Sequence, residues 1–387
     1  SATYKINKIY TWAKKLARFK IHDNILIGTI DHTNVLKSLL ELKEVDLSLI
    51  LEYCSDFELD AQKYLIVYLR TIILSWEPTF EITKTVDGEE MLIVEEIDSV
   101  TEKKCKSIIQ LIEHKNKLAE ELNIILENIN HYNYEMYIFI INILENLSLE
   151  HNFVDKKLLL TFLKNYKRTQ PPKQEELDAW LEKFSYSSNL PVFSKWRLPF
   201  LSFKDRNKIW QTLKEEVNLN TYEQWCTVLD ALNIQRDALC SIAIKQSVPV
   251  RDKTALGTWN VYSQYSLLLS QVEECVSTFT NLENACACLY FLSNHMPPGV
   301  DQVSASELCY KYVLKWYEHE ESAKDRVEKV KNKYLLVTTT HILYKYGLAE
   351  ACYLKLISNP QELMSSLFQH PDIVSRGRGT CVHCPGR

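Results

Sequence analysis

The sequence predicts an all-α protein, an irregular α-solenoid of stacked helical pairs, with one acidic insertion near 78-100 that has the pattern of a β-hairpin. Three observations carry this reading. Apolar residues recur at spacings of three and four through most of the 387 positions, and the stretches between breaks have the length of helices rather than strands. Glycine is scarce, with 8 residues where an average share of about 7% would give roughly 27. A single core also stops growing beyond about 250 to 300 residues, so the chain must divide into domains or stack units along a line. Neither tetratricopeptide nor ankyrin positions recur at a fixed period. Many short amphipathic helices must then bury one face against the previous pair and another against the next, as a solenoid of divergent repeats allows. A compact two-domain helical protein is the alternative.

The elements follow in order. Ile6, Ile9, Tyr10, Ala13, Leu16 and Ala17 form the stripe of a first helix. Lys5, Lys8, Lys14, Lys15, Arg18 and Lys20 surround it and read as a solvated face. Helices are expected at about 32-53, 57-76, 103-130, 132-149, 152-167 and 174-184. Residues 77-102 interrupt them with nine acids against one base, Lys84. Within that stretch, Phe80 to Val86, Asp87-Gly88 and Glu89 to Ile97 suggest two strands, because Asp-Gly readily supplies the positive φ of a type I′ turn. The insertion is expected to project from the helical body with few core contacts; a disordered linker is the alternative.

Thr169-Gln170-Pro171-Pro172 ends the next helix and leads to an aromatic run, 190-203, that lacks helical period. Further helices are expected at 205-218, 221-232, 235-246, 258-279, 281-294, 303-319, 322-346, 348-357 and 360-369. The expected domains are an N-terminal helical half, 1-170, a Pro/aromatic junction, 171-204, a C-terminal helical half, 205-374, and a disordered tail of different composition, 375-387. Three helix ends carry local signals. Thr221 with Gln224 fits a capping box. Asn359-Pro360 fits an N-cap followed by the first helical residue, and Gly347 stands where a left-handed residue closes a helix.

Function classes narrow by the same route. No two of the five glycines upstream of the tail lie near each other, so the clustered glycines of a phosphate-cradling loop are missing. The formal charge of -5 is small and its signs are interleaved, which gives no footprint for nucleic acid. The apolar runs from Tyr64 to Trp76 and from Tyr137 to Leu144 fall short of the roughly 20 residues that span a bilayer. Eleven scattered cysteines do not form a disulfide framework, and the compartment reads as reducing, cytosol or nucleus. The chain begins with Ser, shows no targeting segment and reads as a piece of a longer protein.

No catalytic motif stands out, so no catalytic residue, cofactor, metal or small-molecule substrate is expected. Cys286 and Cys288 are two apart on a helix and point to nearly opposite sides, so they read as buried small hydrophobes. His341 reads as a satisfied histidine of a packing stripe. Cys381, His383 and Cys384 are one ligand short of a closed zinc site. The candidate interaction residues are Phe193, Trp196, Arg197, Phe200 and Phe203, because large rigid aromatic groups and Arg dominate binding hot spots; filling a junction between helical layers is the other role open to them.

The segments Tyr64-Leu-Ile-Val-Tyr-Leu-Arg-Thr-Ile-Ile-Leu-Ser-Trp-Glu-Pro78 and Leu343-Tyr-Lys-Tyr-Gly-Leu-Ala-Glu-Ala-Cys-Tyr-Leu-Lys-Leu-Ile-Ser-Asn-Pro360 resemble the C-terminal part of the Rough deal (Rod) family of kinetochore-associated scaffolds. The likeness covers about 1-374, lies in overall texture, and leaves the tail 375-387 outside. It implies a non-catalytic helical fragment of the Rod, Zwilch and Zeste White Ten complex of unattached kinetochores. That assembly recruits dynein through Spindly and supports the spindle assembly checkpoint, so the implied location is cytoplasm and nucleus, with kinetochore and spindle in mitosis. A related helical family, the Sec39-like tethering subunits of Golgi-to-endoplasmic-reticulum transport, is the alternative.

Overall fold

A computed structural model of the chain describes residues 2–21, 31–42, 45–147, 153–185, 187–248, 265–296, 298–348 and 351–369. The chain divides into two compact units, Ser1–Asp205 and Arg206–Arg387.

In the first unit the helices are α1 (Ala2–Ala17), α2 (His32–Leu40), α3 (Leu47–Asp56) and α4 (Ala61–Ser75), followed by strands β1 (Phe80–Lys84) and β2 (Glu90–Val94). Then come α5 (Ser99–Leu111), α6 (Lys115–Asn128), α7 (Tyr134–Leu147), α8 (Val154–Asn165), α9 (Gln174–Lys183), α10 (Leu190–Trp196) and a 3-10 turn, Phe200–Phe203. The second unit holds α11 (Arg206–Glu216), α12 (Tyr222–Cys226), α13 (Leu229–Leu232), α14 (Arg236–Gln246), α15 (Tyr265–Ser277), α16 (Leu282–His295), α17 (Val300–His319), α18 (Lys324–Lys345), α19 (Ala351–Lys355) and α20 (Pro360–Phe368). Helices stack on near neighbours in the chain: α4 packs against α2, α3, α5 and α6, α7 against α6 and α8, and α17 against α15, α16 and α18. This is the irregular helical stacking that the periodicity predicts.

Several expected helices are broken in two. The run at 103-130 becomes α5 and α6 because Gln62, from α4, accepts from the Glu113 backbone N–H at 2.9 Å and donates to the Leu111 carbonyl at 3.0 Å. A side chain 49 to 51 positions away thus satisfies the backbone groups that the break exposes. Asp98 begins α5 four residues earlier than expected, accepting from the N–H groups of Val100 and Thr101.

Strands β1 and β2 are antiparallel, with Phe80 opposite Val94 and Ile82 opposite Leu92. The turn differs from the expected type I′. Asp87 keeps a negative φ and only Gly88 is left-handed there, at 82°. Gly88 N–H bonds the Thr85 carbonyl and Thr85 N–H bonds the Glu89 carbonyl, which makes a three-residue loop closed by a glycine bulge. The hairpin also fails to project freely. Phe80, Leu92 and Val94 pack against Tyr132, Trp180, Phe184, Leu190 and Phe193, while Met91 and Ile93 face outward, 48% and 40% exposed.

The helix ends divide in the same way. Asn359 accepts from Glu362 N–H ahead of Pro360. Gly347 has φ 68°, and the Leu348-to-Leu343 and Gly347-to-Tyr344 bonds complete a Schellman end. Thr221 makes no capping bond; its hydroxyl donates to the Glu216 carbonyl at 2.8 Å and accepts from Asn218 N–H. The described cysteines are free thiols, with Cys286 and Cys288 buried; burial pushes the Cys105 and Cys309 thiols up to about 12.

Candidate interaction surface

Phe193 and Trp196 sit in α10, Arg197 caps its end, and Phe200 and Phe203 bound the 3-10 turn. Four of these five are buried, Phe193, Trp196, Arg197 and Phe200, and Phe203 is half-buried. The Phe193 ring meets Phe80 edge-on at 5.3 Å between centroids. The Arg197 guanidinium donates to both Glu135 oxygens at 2.8 Å and to the Tyr132 carbonyl at 2.8 Å, with its plane over the Tyr134 ring. These four side chains are therefore packing and pairing groups of the first unit. Of the five, only Phe203 reaches the surface. An aromatic run without helical period need not be exposed: here it fills the space between α9, the hairpin and the start of α7.

Sequence reasoning missed the second half of this arrangement. Arg168 pairs with both oxygens of Glu176 at 2.8 Å and donates to the Ser194 carbonyl at 3.0 Å. The Tyr132 hydroxyl also donates to Glu176; burial and that carboxylate hold its proton on. Glu135 stands in the sequence two residues before the apolar run Tyr137 to Leu144, and nothing local marks Arg197 or Lys164 as its neighbours in space.

Among the described residues of the first unit, a groove of about 660 Å³ opens between α2, α4 and the base of the hairpin. Its floor includes Leu40, Tyr68, Ile72 and Trp76, and its walls carry Glu41, Glu77, Glu95, Glu96 and Asp98 with no Lys, Arg or His. Asp98 caps α5 and accepts from the Trp76 indole N–H at 3.2 Å. The Thr101 hydrogen bonds foremost, with those from Trp76 and Val100, hold its carboxyl below the usual carboxylate range. Glu96 pairs with Lys164. Among the described residues no cation pairs with Glu41, Glu77 or Glu95, and Glu77 Oε1 is enclosed without a hydrogen-bond partner.

Among the described residues no three His, Cys, Asp or Glu side chains are grouped to hold a metal, and no helix is long and apolar enough to cross a membrane. Cys381, His383 and Cys384 lie outside the described residues. His341 is half-buried, and its Nδ1 has no hydrogen-bond partner, so the expected satisfied histidine is satisfied incompletely.

Stacked helices of divergent length around cores of aromatic and aliphatic groups define an irregular helical-repeat protein. The match to known families is specific. The family described as the Rough deal protein C-terminal region matches residues 187–385, just over half of the chain, and the chain belongs to that family. The KNTC1 third ARM-repeats domain matches residues 3–142. Kinetochore-associated protein 1 of Homo sapiens is 24% identical over 368 residues, which is 89% of this chain and 16% of that protein. Kinetochore-associated protein 1 of Mus musculus is 24% identical over 367 residues, with the same shares. The chain thus spans about a sixth of the length of these curated relatives. The family match runs on to residue 385, through most of the tail that composition set apart, so the likeness does not stop at 374.

Proposed function

We propose that this chain is a non-catalytic helical scaffold segment of a kinetochore protein. It works with Zwilch and Zeste White Ten, and through Spindly it contributes to dynein recruitment and to the spindle assembly checkpoint. The single observation that carries the reading is the Rough deal C-terminal family match over residues 187–385, joined by two relatives named for the kinetochore. The helical-repeat class supports a role in holding partners, since each repeat contacts mainly its neighbours and leaves an extended surface for binding. The proposed location is cytoplasm and nucleus, with kinetochore and spindle in mitosis. The protein partners are the ones named; the reading involves no nucleic acid, membrane insertion or small-molecule substrate.

The test is tagged expression in cells arrested in mitosis, with imaging and partner purification. Kinetochore signal and co-purified Zwilch and Zeste White Ten are expected. Vesicle-fusion proteins in their place, with no kinetochore signal, would move the chain to the Sec39-like tethering class.

A further inference from the structure

The groove between α2, α4 and the hairpin base is continuous with an exposed sheet face. Residues two apart on a strand share a face, so Thr79 and Glu95, which line the groove, lie on the same side as Met91 and Ile93. That side is turned away from the core, because Phe80, Leu92 and Val94 supply the packed side. The result is an apolar strip, Ile72 and Trp76 in the groove followed by Ile93 and Met91 on the hairpin, edged by Glu41, Glu77 and Glu95, which have no cation of their own among the described residues. Glu77 adds an enclosed oxygen with no partner, a group that normally finds a donor when shut away from water.

We propose that this groove and the adjoining hairpin face take an extended basic segment of a partner protein. Its Lys or Arg side chains meet Glu41, Glu77 and Glu95, and its apolar side chains alternate with them against Ile72, Trp76, Ile93 and Met91. The charge decides the class of occupant: five carboxylates, of which Glu96 alone pairs with a cation among the described residues, and no base among the lining residues repel an acidic peptide or a nucleic acid and attract a cationic one. The apolar floor decides the rest, because exposed charge pairs alone are weak and a purely polar chain would leave Ile72 and Trp76 uncovered. The inference deepens the scaffold reading and rests on it only in taking the occupant to be a protein.

The purified full chain is titrated, by fluorescence anisotropy, into a short labelled peptide that alternates Arg with Leu. Peptides alternating Arg with Ser and Glu with Leu are the comparisons. Saturable binding of the Arg-Leu peptide that weakens with salt is expected, with weaker binding of Arg-Ser and none of Glu-Leu. Glu41→Gln, Glu77→Gln and Glu95→Gln together should weaken binding by about tenfold, the sum of three modest charge contacts. Glu120→Gln with Glu127→Gln on α6, outside the groove, should leave it unchanged. If the triple variant melts early, Glu95→Gln alone and Met91→Ser with Ile93→Ser, all at exposed positions, serve in its place and should each weaken binding. No binding of the Arg-Leu peptide, or equal binding by groove and α6 variants, overturns the proposal. Self-association that the groove variants abolish also overturns it and gives the face to a second copy. Because no kinetochore component is present, these outcomes are independent of the partner-purification result.

Discussion

Glu135 and Arg197 are both enclosed, and each neutralises the other through two hydrogen bonds of 2.8 Å. A buried ion pair offsets its own desolvation only while both members are present. Arg197→Met should therefore destabilise the first unit by about 3 kcal/mol, since it leaves the buried carboxylate with only Lys164, 4.0 Å away. Adding Glu135→Leu should recover much of that loss. Urea denaturation of the two variants checks this, and an equal loss in the double variant would assign the effect to packing around the guanidinium. In the second unit Asp237, on α14, accepts from Thr280 N–H, the Thr280 hydroxyl, Asn281 N–H and the Asn284 amide at 2.8 to 3.1 Å. Burial works against its charge, and these bonds outweigh it, so its carboxyl is held below its ordinary value. The sign follows: this contribution is complete above the unfolded value of about 3.9 and is lost as pH falls through the lowered folded value. Asp237→Asn should flatten the acid limb of the melting-temperature profile of the second unit and cost on the order of 3 kcal/mol near neutral pH. A profile unchanged by the substitution would show that the clamp contributes nothing. Neither cluster was legible in the sequence, because its members lie 43 to 62 positions apart; the Asn359-Pro360 and Gly347 ends were legible because all their partners are within five residues. Thr221 misled for a local reason too, since the Glu216 carbonyl and Asn218 N–H compete for the hydroxyl that a capping box needs.

At the scale of elements, strand alternation around an Asp-Gly turn was enough to place the hairpin but not to say what it touches. The Asn189 side chain donates to the Pro78 carbonyl at 3.2 Å, across 111 positions, and Phe80 meets Phe193 across a similar span. Such contacts leave no periodic trace, so the insertion reads as a dispensable projection and is instead docked along one face. Deleting 78-100 and bridging the gap should lower the melting temperature clearly, although closing a surface loop of that length is itself cheap. Phe80→Ala should carry part of that loss, about 1–2 kcal/mol for a half-buried ring, and Ile93→Ser on the outward side should stay within about 0.5 kcal/mol. Similar effects from the two substitutions would mean that the hairpin is not seated on Phe193. The helix breaks teach the same lesson: apolar spacing runs without interruption through 103-130, and it is Gln62, on α4, that holds the chain open between Leu111 and Glu113.

For the whole molecule, the decisive boundary is where the first unit ends. Composition sets 171-204 apart as a Pro/aromatic junction between two helical halves, and the compact first unit takes that segment in and ends at Asp205. The reason lies in what the 171-204 segment supplies. Glu176 takes both guanidinium nitrogens of Arg168, Arg197 takes Glu135, and Trp180, Phe184, Leu190 and Phe193 cover Tyr132 and the inner side of the hairpin. A fragment that stops at 170 keeps Glu135 and Arg168 but loses Arg197 and Glu176, leaving Glu135 with only Lys164 at 4.0 Å, and it exposes Phe80, Leu92 and Val94 on a strand pair with free edges, a combination that favours aggregation. A fragment comprising 1-205 keeps all of these groups. We therefore expect 1-205 to be soluble, helical by circular dichroism and cooperative in its melt, and 1-170 to precipitate or to melt without a defined transition. A cooperative 1-170 fragment, as stable as 1-205, would return the segment to the role of a junction and would free its aromatic side chains for a partner.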